Sequence, residues 1–539
     1  FSNDSSLYYF GQDPNGIAAA CPSGCYDFQS IVLHELGHGL GFVGSVDKIS
    51  AGQAAYGYDP LSGDERPFIY DLFTETAGGT PILDYANKSN ALYNAVTSSL
   101  VYWDGPEGGG ADRGREPRLY APSDWLEGSS YSHLSDASYP QGDPDSLMTP
   151  FADANDITRD PGEVMLGMFR DMGWVTPALP GSTYVPLANP IQVYDSRSAV
   201  GNGALKDLVI AGTNGVPSTA TAVVLNLTTT VASGADSRLF AYARPRPGAP
   251  PPARVPNLVT PAGYSRDGLA TVPLGARGVR LRNVGGAAHE YVALVGYFLP
   301  STSGGARYAA TNPHRVINTR TGQGTAKARI GTGARLVTIP GLPSTAVAVA
   351  LNVTAVQPSN TATLEVFNSA LTTPRTGNVH MKVGQSANNL VIARLGSGNR
   401  LKIRTTLGST DVVVELAGWY DASAPGLFRP LLPQRLFGPL RMGATAKDTR
   451  VTGDSPGFGV PANATALVLD TSAFAPTATT YLITYGTGPT PGISTLSVFK
   501  GKSSSGATLT RPGTSGAVRV RNVAGVSTVS LDLFGYYAP

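Results

Sequence analysis

Three segments of about 120 residues repeat along the carboxyl-terminal two-thirds of the chain, and this repetition restricts its possible folds more than any other feature. One segment recurs as "VPSTATAVVLNLTTT" at 216–230, "LPSTAVAVALNVTAV" at 342–356 and "VPANATALVLDTSAF" at 460–474. Each unit ends in a glycine followed by two aromatic residues, as "GYF", "GWY" and "GYY". A period of this length is too long for a solenoid unit and suits a self-contained domain.

The repeats are predicted to be β-structure. The sequence contains 64 Gly and 42 Pro yet is 42% hydrophobic, a balance typical of a folded chain with many turns. Apolar alternation in "TAVAVALNVTAV" predicts strands with one face in a core. We therefore expect three all-β sandwich or jelly-roll-like domains at 184–300, 307–423 and 427–539, each with its own core.

Residues 1–175 differ in composition from the repeats and contain the motif "HELGH". His34 and His38 lie four residues apart, so on a helix both imidazoles share one face and can reach a zinc ion at about 2.0–2.1 Å. Glu35 lies off that face, where its carboxylate could take a proton from a zinc-bound water. Gly41 is predicted to end the helix. The apolar positions, Leu36 and Leu40 among them, are predicted to face the core.

The stretch "HELGHGLGF" resembles the metzincin type of zinc peptidase, whose pattern is H-E-x-x-H-x-x-G-x-x-[HD]. That pattern places the third ligand at position 44, where this chain has Gly44. The departure is similar to the leishmanolysin-like variant, which supplies its third histidine after a long insertion and follows it with a methionine turn. The resemblance implies an α+β zincin-like metallopeptidase part over 1–175, with an inserted subdomain at 45–132.

The resemblance implies His133 as the third zinc ligand, because it is the one histidine between His38 and the repeats. Asp136 is the alternative ligand. Met148, in "DSLMTP", would form the apolar floor under the histidines, and a closing helix is expected at 160–174. Two roles stay open for Tyr131: a hydrogen-bond donor to the developing oxyanion, or a packed tyrosine.

Zincin-like domains place a twisted sheet before the zinc helix, and only "SLYYFGQD" precedes it here. The peptidase part is therefore expected to be N-terminally incomplete, with Phe1 an internal or processed start. The aromatic residues of the insertion are expected to form a core of its own; they are Tyr102, Trp103, Tyr120 and Trp125.

The three repeats are similar to a repeat of secreted, cell-envelope-associated actinobacterial proteins, by the "RVINTR" opening, the "LNVT" strand and the "GYY" end. This resemblance implies a secreted or cell-surface location. The repeats are expected to attach the chain to a surface, a substrate or a partner, and a cell-envelope or extracellular polymer is one candidate. Cys21 and Cys25 are expected to close a small disulfide ring, as suits an oxidising compartment, with reduced thiols as the alternative. The acidic stretch "GDPDSLMTPFADANDITRD" is a candidate calcium (Ca²⁺) site, although it lacks EF-hand spacing.

Charge and hydropathy exclude two classes of partner. A net charge of +2 with 14% charged residues gives no basic stripe for a nucleic acid, and no apolar run approaches the roughly 20 residues of a membrane span. We expect a secreted zinc (Zn²⁺) metalloendopeptidase that acts on a protein or peptide substrate. The alternative is an extracellular structural or adhesion protein built from the repeats, with a remnant or self-processing peptidase part.

Overall fold

The computed structural model describes residues 7–10, 24–57, 66–245, 255–453 and 457–539. The chain forms two compact units, with the boundary between Leu179 and Pro180. The first unit contains the HELGH motif and the second contains the three repeats.

The first unit combines short helices with short strands. In chain order its elements are β1 Tyr8–Tyr9, β2 Tyr26–Asp27, α1 Phe28–Gly39, β3 Asp47–Ser50, β4 Gln53–Ala55, β5 Thr74–Thr76, α2 Asn90–Val96, β6 Val101–Trp103, α3 Pro106–Ala111 and α4 Gly162–Asp171. Single 3₁₀ turns lie at Ile69–Phe73, Ile82–Asp84 and Ser146–Met148. The strands pair only two by two, β1 with β2 in parallel and the others antiparallel.

Among the described residues of the first unit, one hydrophobic core joins the HELGH helix to the insertion. Phe42 and Met148, near the candidate zinc ligands, belong to the same buried cluster as Tyr70 and Trp103 of the insertion. Trp125 packs against this cluster from its edge. The expected separate core for 45–132 is therefore not what the described residues form. The insertion contributes side chains that cover the HELGH helix.

Helix α1 turns a different face inward from the one its apolar residues predict. Leu36 and Leu40 are 55% and 47% exposed, whereas Gly37 is buried. A Cβ atom at Gly37 would lie only 2.7 Å from both Met148 Sδ and Met165 Cε. The helix thus packs its narrow glycine face against two methionines, and this orientation leaves the two leucines outside.

In the described residues, the second unit consists of three β-sandwiches of eight strands each. The first contains β7 Ser182–Asp195, β8 Leu205–Val209, β9 Ala222–Val231, β10 Ser237–Ala243, β11 Leu258–Thr260, β12 Tyr264–Pro273, β13 Gly278–Gly285 and β14 His289–Pro300. The second contains β15 Arg307–Asn318, β16 Arg335–Thr338, β17 Ala348–Val356, β18 Ala362–Asn368, β19 Val379–Met381, β20 Ala387–Arg394, β21 Arg400–Thr405 and β22 Asp411–Asp421. The third contains β23 Leu427–Met442, β24 Ala446–Arg450, β25 Ala466–Phe474, β26 Thr480–Gly486, β27 Leu496–Val498, β28 Ser504–Thr510, β29 Ala517–Asn522 and β30 Ser527–Ala538.

The strand order is the same in all three sandwiches. Numbering the strands of one repeat from one to eight, one sheet has the order 1-8-3-6 and the other 2-7-4-5, with every pair antiparallel. This order is that of a jelly roll. A single pair, Phe428 with Ser182, joins the 1-8-3-6 sheets of the first and third repeats into one eight-stranded sheet. The expectation of all-β, jelly-roll-like repeats is confirmed.

The alternating residues of the third strand of each repeat serve two different cores. In β17, Val349 and Leu351 point into the core of their own sandwich, whereas Ala348 and Ala350 point into a core that all three repeats share. The same division holds for Leu225 against Val224 in the first repeat. The strand is therefore buried on both faces, not on one as the alternation predicts. In β17 the residues of the private core are valine and leucine, whereas those of the shared core are alanines, which allow the repeats to approach each other.

Six aromatic rings close a circle at the centre of the shared core, which we call the aromatic hub. Each repeat gives one ring from its first strand and one from its last; these are Tyr184 and Phe298, Tyr308 and Tyr420, and Phe428 and Tyr537. Successive ring centroids lie 4.5–5.5 Å apart around the circle. Each first-strand ring contacts the last-strand ring of its own repeat and that of the next.

The glycine of the "GYF", "GWY" and "GYY" ends makes room for these rings. A Cβ atom at Gly296 would clash with Tyr184, one at Gly418 with Tyr308, and one at Gly535 would lie 2.9 Å from the ring of Phe428. The repeated glycine is therefore required by a close approach to the first-strand ring of the same repeat.

We expect Gly418→Ala to lower the free energy of unfolding of the repeat unit by about 1–3 kcal/mol, because the added methyl group overpacks the hub beside Tyr308. Gly443→Ala is the matched control, since a Cβ atom there meets open space, and its effect should stay within about 0.5 kcal/mol. Denaturant unfolding followed by circular dichroism measures both. Equal stability of the two variants would show that the glycine contact does not constrain the hub.

Candidate metal centre

Helix α1 is anchored at its N-terminus by a buried carboxylate. The Asp27 side chain accepts a hydrogen bond from the Ser30 backbone N–H at 2.9 Å and forms an ion pair with Arg159 at 2.6 Å. Burial opposes the ionisation of Asp27, but the hydrogen bonds from Arg159 and Ser30 outweigh it, and the pKa of Asp27 is lowered. The N-cap thereby fixes the helix that carries His34 and His38 to the segment after Met148.

His133 lies outside any helix or strand, on a segment held from both sides. Its carbonyl oxygen accepts from the Tyr120 N–H at 2.8 Å, and the N–H of the next residue, Leu134, donates to the Met148 carbonyl at 2.8 Å. The side chain of His133 is only 3% exposed. The insertion and the methionine turn together place this imidazole.

The three histidines meet at their Nε2 atoms. The Nε2–Nε2 distance is 3.1 Å from His38 to His34, 3.1 Å from His38 to His133 and 3.2 Å from His133 to His34. Among the described residues, these three form the one group of three or more potential metal ligands. The alternative ligand, Asp136, is exposed and stands outside that group.

A backbone carbonyl fixes the tautomer of each ring. His34 Nδ1 lies 2.7 Å from the Leu147 oxygen, His38 Nδ1 lies 2.7 Å from the Phe42 oxygen, and His133 Nδ1 lies 2.8 Å from the Ser129 oxygen. A carbonyl oxygen only accepts hydrogen bonds, so each Nδ1 carries the proton and each Nε2 presents a lone pair.

Three convergent lone pairs suit a cation. Burial lowers the pKa of His34, and burial together with the neighbouring imidazoles lowers the pKa of His133 to about 3, so these rings are neutral at neutral pH. The Nε2 lone pairs converge on the centre of the triangle, where a metal ion would relieve their mutual repulsion. Ligand nitrogens of a tetrahedral zinc site are about 3.3–3.4 Å apart at ordinary Zn–N lengths. The observed triangle is a few tenths of an ångström smaller, so the residues fit this ion.

Met148 lies beneath the histidines, fully buried. Its sulfur is the atom that a Cβ at Gly37 would meet at 2.7 Å, so the side chain packs directly against the helix between His34 and His38. Leu147, the residue before it, supplies the carbonyl oxygen for His34. The methionine turn thus provides both an apolar support and one orienting hydrogen bond.

Gly41 lies just beyond the end of α1 with φ +106°, a value in the left-handed region that favours glycine. Three residues on, Gly44 occupies the position of the short-spaced third ligand. A Cβ atom at Gly44 would clash with the ring of Tyr131, and the Gly44 N–H donates to Ser132 Oγ at 3.1 Å. Position 44 therefore has no room for a side chain, because Tyr131, on the segment that carries His133, packs against it.

The Tyr131 side chain is part of the core. It is fully buried, and its hydroxyl lies 2.6 Å from Thr74 Oγ1. Burial and the nearby carboxylate of Asp71 raise the pKa of Tyr131 well above its usual range. A hydroxyl engaged this way does not face a substrate carbonyl, so of its two open roles the structure supports the packed tyrosine.

Two cavities open onto the cluster. His34 and the exposed Glu35 line one of about 350 Å³, together with Tyr8, Ile31 and Phe151. His38 lines another of about 550 Å³. Its wall includes four residues with long side chains: Arg66, Phe68, Trp125 and Glu127. A chain-like ligand could therefore approach the cluster from two sides.

The carboxylates of the acidic stretch accept local backbone hydrogen bonds. Asp145 Oδ1 accepts from the Val164 N–H at 2.9 Å, and Asp160 Oδ1 accepts from the Gly162 N–H at 2.9 Å, both at the start of α4. Within the described ranges they form no group of three ligands, and calcium binding by this stretch stays a prediction. The expected disulfide involves Cys21, which lies outside the described residues, and stays a prediction.

Sequence reasoning did not find the three orienting carbonyls or the Asp27–Arg159 pair. The carbonyls could not be predicted, because every residue has a backbone oxygen and none marks these three. The Asp27–Arg159 pair had a weak signal, namely an aspartate at the N-cap position before "FQSIVLHELGHG".

No family model and no curated protein matches this chain. Structural matches include the Sulfolobus turreted icosahedral virus (8% identity, 66% of this chain and 90% of the other, TM-score 0.14). A triple jelly roll from an archaeal virus turret matches with 9% identity, 68% and 98% coverage, and a TM-score of 0.15. The tandem CBM22 domain of Paenibacillus barcinonensis Xyn10C matches with 12% identity, 46% and 100% coverage, and a TM-score of 0.13.

Across the parts of the chain that the structure describes, no helix has the length and apolar character needed to cross a membrane.

We expect the full chain to bind one zinc ion, and His133→Ala to lose it at stoichiometric concentration, because two imidazoles hold zinc far more weakly than three. Asp136→Ala should keep a full equivalent, since that side chain is exposed and outside the cluster. Metal content after gel filtration measures both. A full equivalent of zinc on His133→Ala would contradict the ligand assignment.

Proposed function

We propose that this chain is a zinc-dependent endopeptidase, with His34, His38 and His133 as the metal ligands. The observation that carries the proposal is the arrangement of three imidazoles, each fixed through Nδ1, whose Nε2 atoms lie 3.1–3.2 Å apart. A closed structural zinc site has four protein ligands, whereas this cluster has three, as catalytic sites do.

When bound, zinc supplies a Lewis acid that polarises a carbonyl group and acidifies water. Glu35 follows His34 directly and is exposed on the wall of the cavity that His34 also lines. Its carboxylate oxygen takes a proton from the attacking water and returns it to the leaving amine nitrogen. This division of roles explains why the motif holds a glutamate that is not a ligand.

The two cavities support a polypeptide substrate. An endopeptidase binds chain on both sides of the scissile bond, and His34 and His38 each line a different cavity. The wall formed by Tyr8, Ile31 and Phe151 suits an apolar side chain, whereas Arg66 and Glu127 in the other cavity suit polar groups.

We further propose a secreted or cell-surface location, with the repeats as the part that attaches to an extracellular or cell-envelope polymer. The support is the resemblance of the repeats to those of cell-envelope-associated proteins, and the jelly-roll topology suits a binding module. The competing function is that of an extracellular structural or adhesion protein with a remnant or self-processing peptidase part. It rests on the same repeats, but it predicts that the chain does not hydrolyse other proteins.

We expect Glu35→Gln to retain zinc and fold yet lose at least 100-fold in the rate of hydrolysis of an unstructured protein such as casein, because the proton acceptor is removed while the ligands remain. Asp124→Asn is the matched control, an exposed carboxylate in the same unit that lines neither cavity. Undiminished hydrolysis by Glu35→Gln would assign the base to another residue. A zinc-loaded wild type that cleaves no unstructured protein would favour the structural role.

A further inference from the structure

The loops between the fifth and sixth strands of the three repeats, each of which crosses from one sheet of its sandwich to the other, occupy equivalent positions. Gly263, Gly384 and Gly501 stand at the same place in these loops, with φ values of +82°, +71° and +69°. The strand registers confirm the equivalence, since Leu269, Leu390 and Ala507 pair with Asn226, Asn352 and Asp470. We call these segments the three tips.

The tips have the same backbone but have diverged in their side chains, and they bring three cations around one aromatic ring. Lys382 Nζ lies 4.4 Å from the centroid of the Tyr264 ring, the Arg266 guanidinium carbon 5.2 Å and Lys502 Nζ 5.7 Å. Tyr264 and Arg266 belong to the first repeat, Lys382 to the second and Lys502 to the third. The cluster exists only because the three repeats assemble.

Arg266 is a buried cation with an unused donor. Its side chain is 8% exposed, and its Nε has no hydrogen-bond partner among the described residues. The rings of Tyr264 and Phe499 lie 5.2 and 5.6 Å from the guanidinium carbon and offset part of the cost of burying the charge. Neither ring accepts the Nε–H in the way that an oxygen does.

The carboxylate next to Arg266 in the sequence is already engaged. Asp267 accepts from Thr228 Oγ1 at 2.6 Å through one oxygen, and the other lies 2.5 Å from the His380 backbone nitrogen and 2.8 Å from His380 Nδ1. The negative charge of Asp267 is therefore directed at His380. Three cationic side chains, Arg266, Lys382 and Lys502, stand beside the single negative charge of Asp267. The site therefore carries a net positive charge.

A cavity of about 330 Å³ opens at this place between the first and second repeats. Tyr264, Arg266, His380 and Lys382 line it. Its remaining wall combines apolar residues, Val231 and Met381 among them, with four hydroxyl-bearing residues: Thr230, Ser265, Thr361 and Thr363. The hydroxyl groups can donate hydrogen bonds to an oxyanion, and the volume accommodates a phosphate with a small substituent.

We propose that this cavity is an anion site for a phosphate or sulfate group, free or borne by a saccharide. The guanidinium of Arg266 donates to the oxyanion from the cavity wall, and the ammonium group of Lys382 neutralises it at the mouth. Lys502 adds positive charge from the third repeat. The inference stands apart from the zinc site, which lies in the other unit of the chain.

The test is calorimetric titration of the full chain, stripped of metal with EDTA and dialysed into low-salt chloride buffer, so that anion binding at a zinc ion does not contribute. The probes are inorganic phosphate, inorganic sulfate, glucose 6-phosphate and glucose. We expect one saturable site for the three anions and no binding of glucose. Tighter binding of glucose 6-phosphate than of inorganic phosphate would identify a phosphorylated saccharide as the preferred source of the anion.

Lys382→Gln should weaken phosphate binding at least tenfold, as expected for loss of one charged partner, and Arg266→Gln should abolish it. Lys500→Gln is the matched control, because this exposed tip lysine is outside the cavity lining, and it should bind as the wild type does. Arg266 is buried, so circular dichroism checks that the Arg266→Gln variant is folded. Lys382 is exposed, so Lys382→Gln tests anion binding without the risk of unfolding the protein. Absence of saturable binding to the wild type, or wild-type affinity in Lys382→Gln, would overturn the proposal.

Discussion

The candidate metal centre, the cluster of His34, His38 and His133, depends on three hydrogen bonds from imidazole Nδ1–H groups to backbone carbonyls. Without them each histidine could adopt either tautomer and several ring orientations, and the Nε2 lone pairs would not converge. The three oxygens belong to Phe42 after the helix, Ser129 in the insertion and Leu147 in the methionine turn. Segments far apart in the sequence therefore have to pack correctly before the cluster exists. The shared core of the first unit, which joins Phe42, Tyr70, Trp103 and Met148, provides that packing.

Much of the candidate site could be predicted from the sequence, because chemistry at fixed helical spacing leaves a residue pattern. His34, Glu35 and His38 are visible in five letters, and the scarcity of histidines in the first 175 residues made His133 the evident partner. The role of Gly44 was not visible, since it depends on the ring of Tyr131, 87 residues away. The prediction that Leu36 and Leu40 face the core was wrong. Hydrophobic periodicity gives a glycine no weight, and here Gly37 packs against the sulfur of Met148 and turns the leucines outward.

The repeats show a similar division. Alternation and turn composition predicted three β-sandwiches, and the strands have that arrangement. The alternation of apolar residues along a strand does not show whether its second face is exposed to solvent or buried by small residues. The core shared through Ala348, Ala350 and their counterparts was therefore not predicted. The glycine that recurs at each repeat end is visible in the sequence, whereas the ring that it accommodates lies about 110 residues earlier in the same repeat. Likewise, the cluster of Arg266, Lys382 and Lys502 joins residues from three repeats, and nothing in any single repeat reveals it.

The aromatic hub has a consequence for how such a chain can change during evolution. Because Tyr184 meets Tyr420, Tyr308 meets Tyr537 and Phe428 meets Phe298, the last copy returns to the first, and every copy has two neighbours. A linear array can gain or lose a unit at either end at small cost, since its ends are already exposed. A closed circle has no end at which a unit could be added. Deleting one copy would leave two unmatched apolar surfaces, and inserting a fourth would have to widen the circle and open a void at its centre. Copy number in this architecture is therefore fixed by geometry, and divergence is free to act only on the residues that face outward or line the spaces between copies.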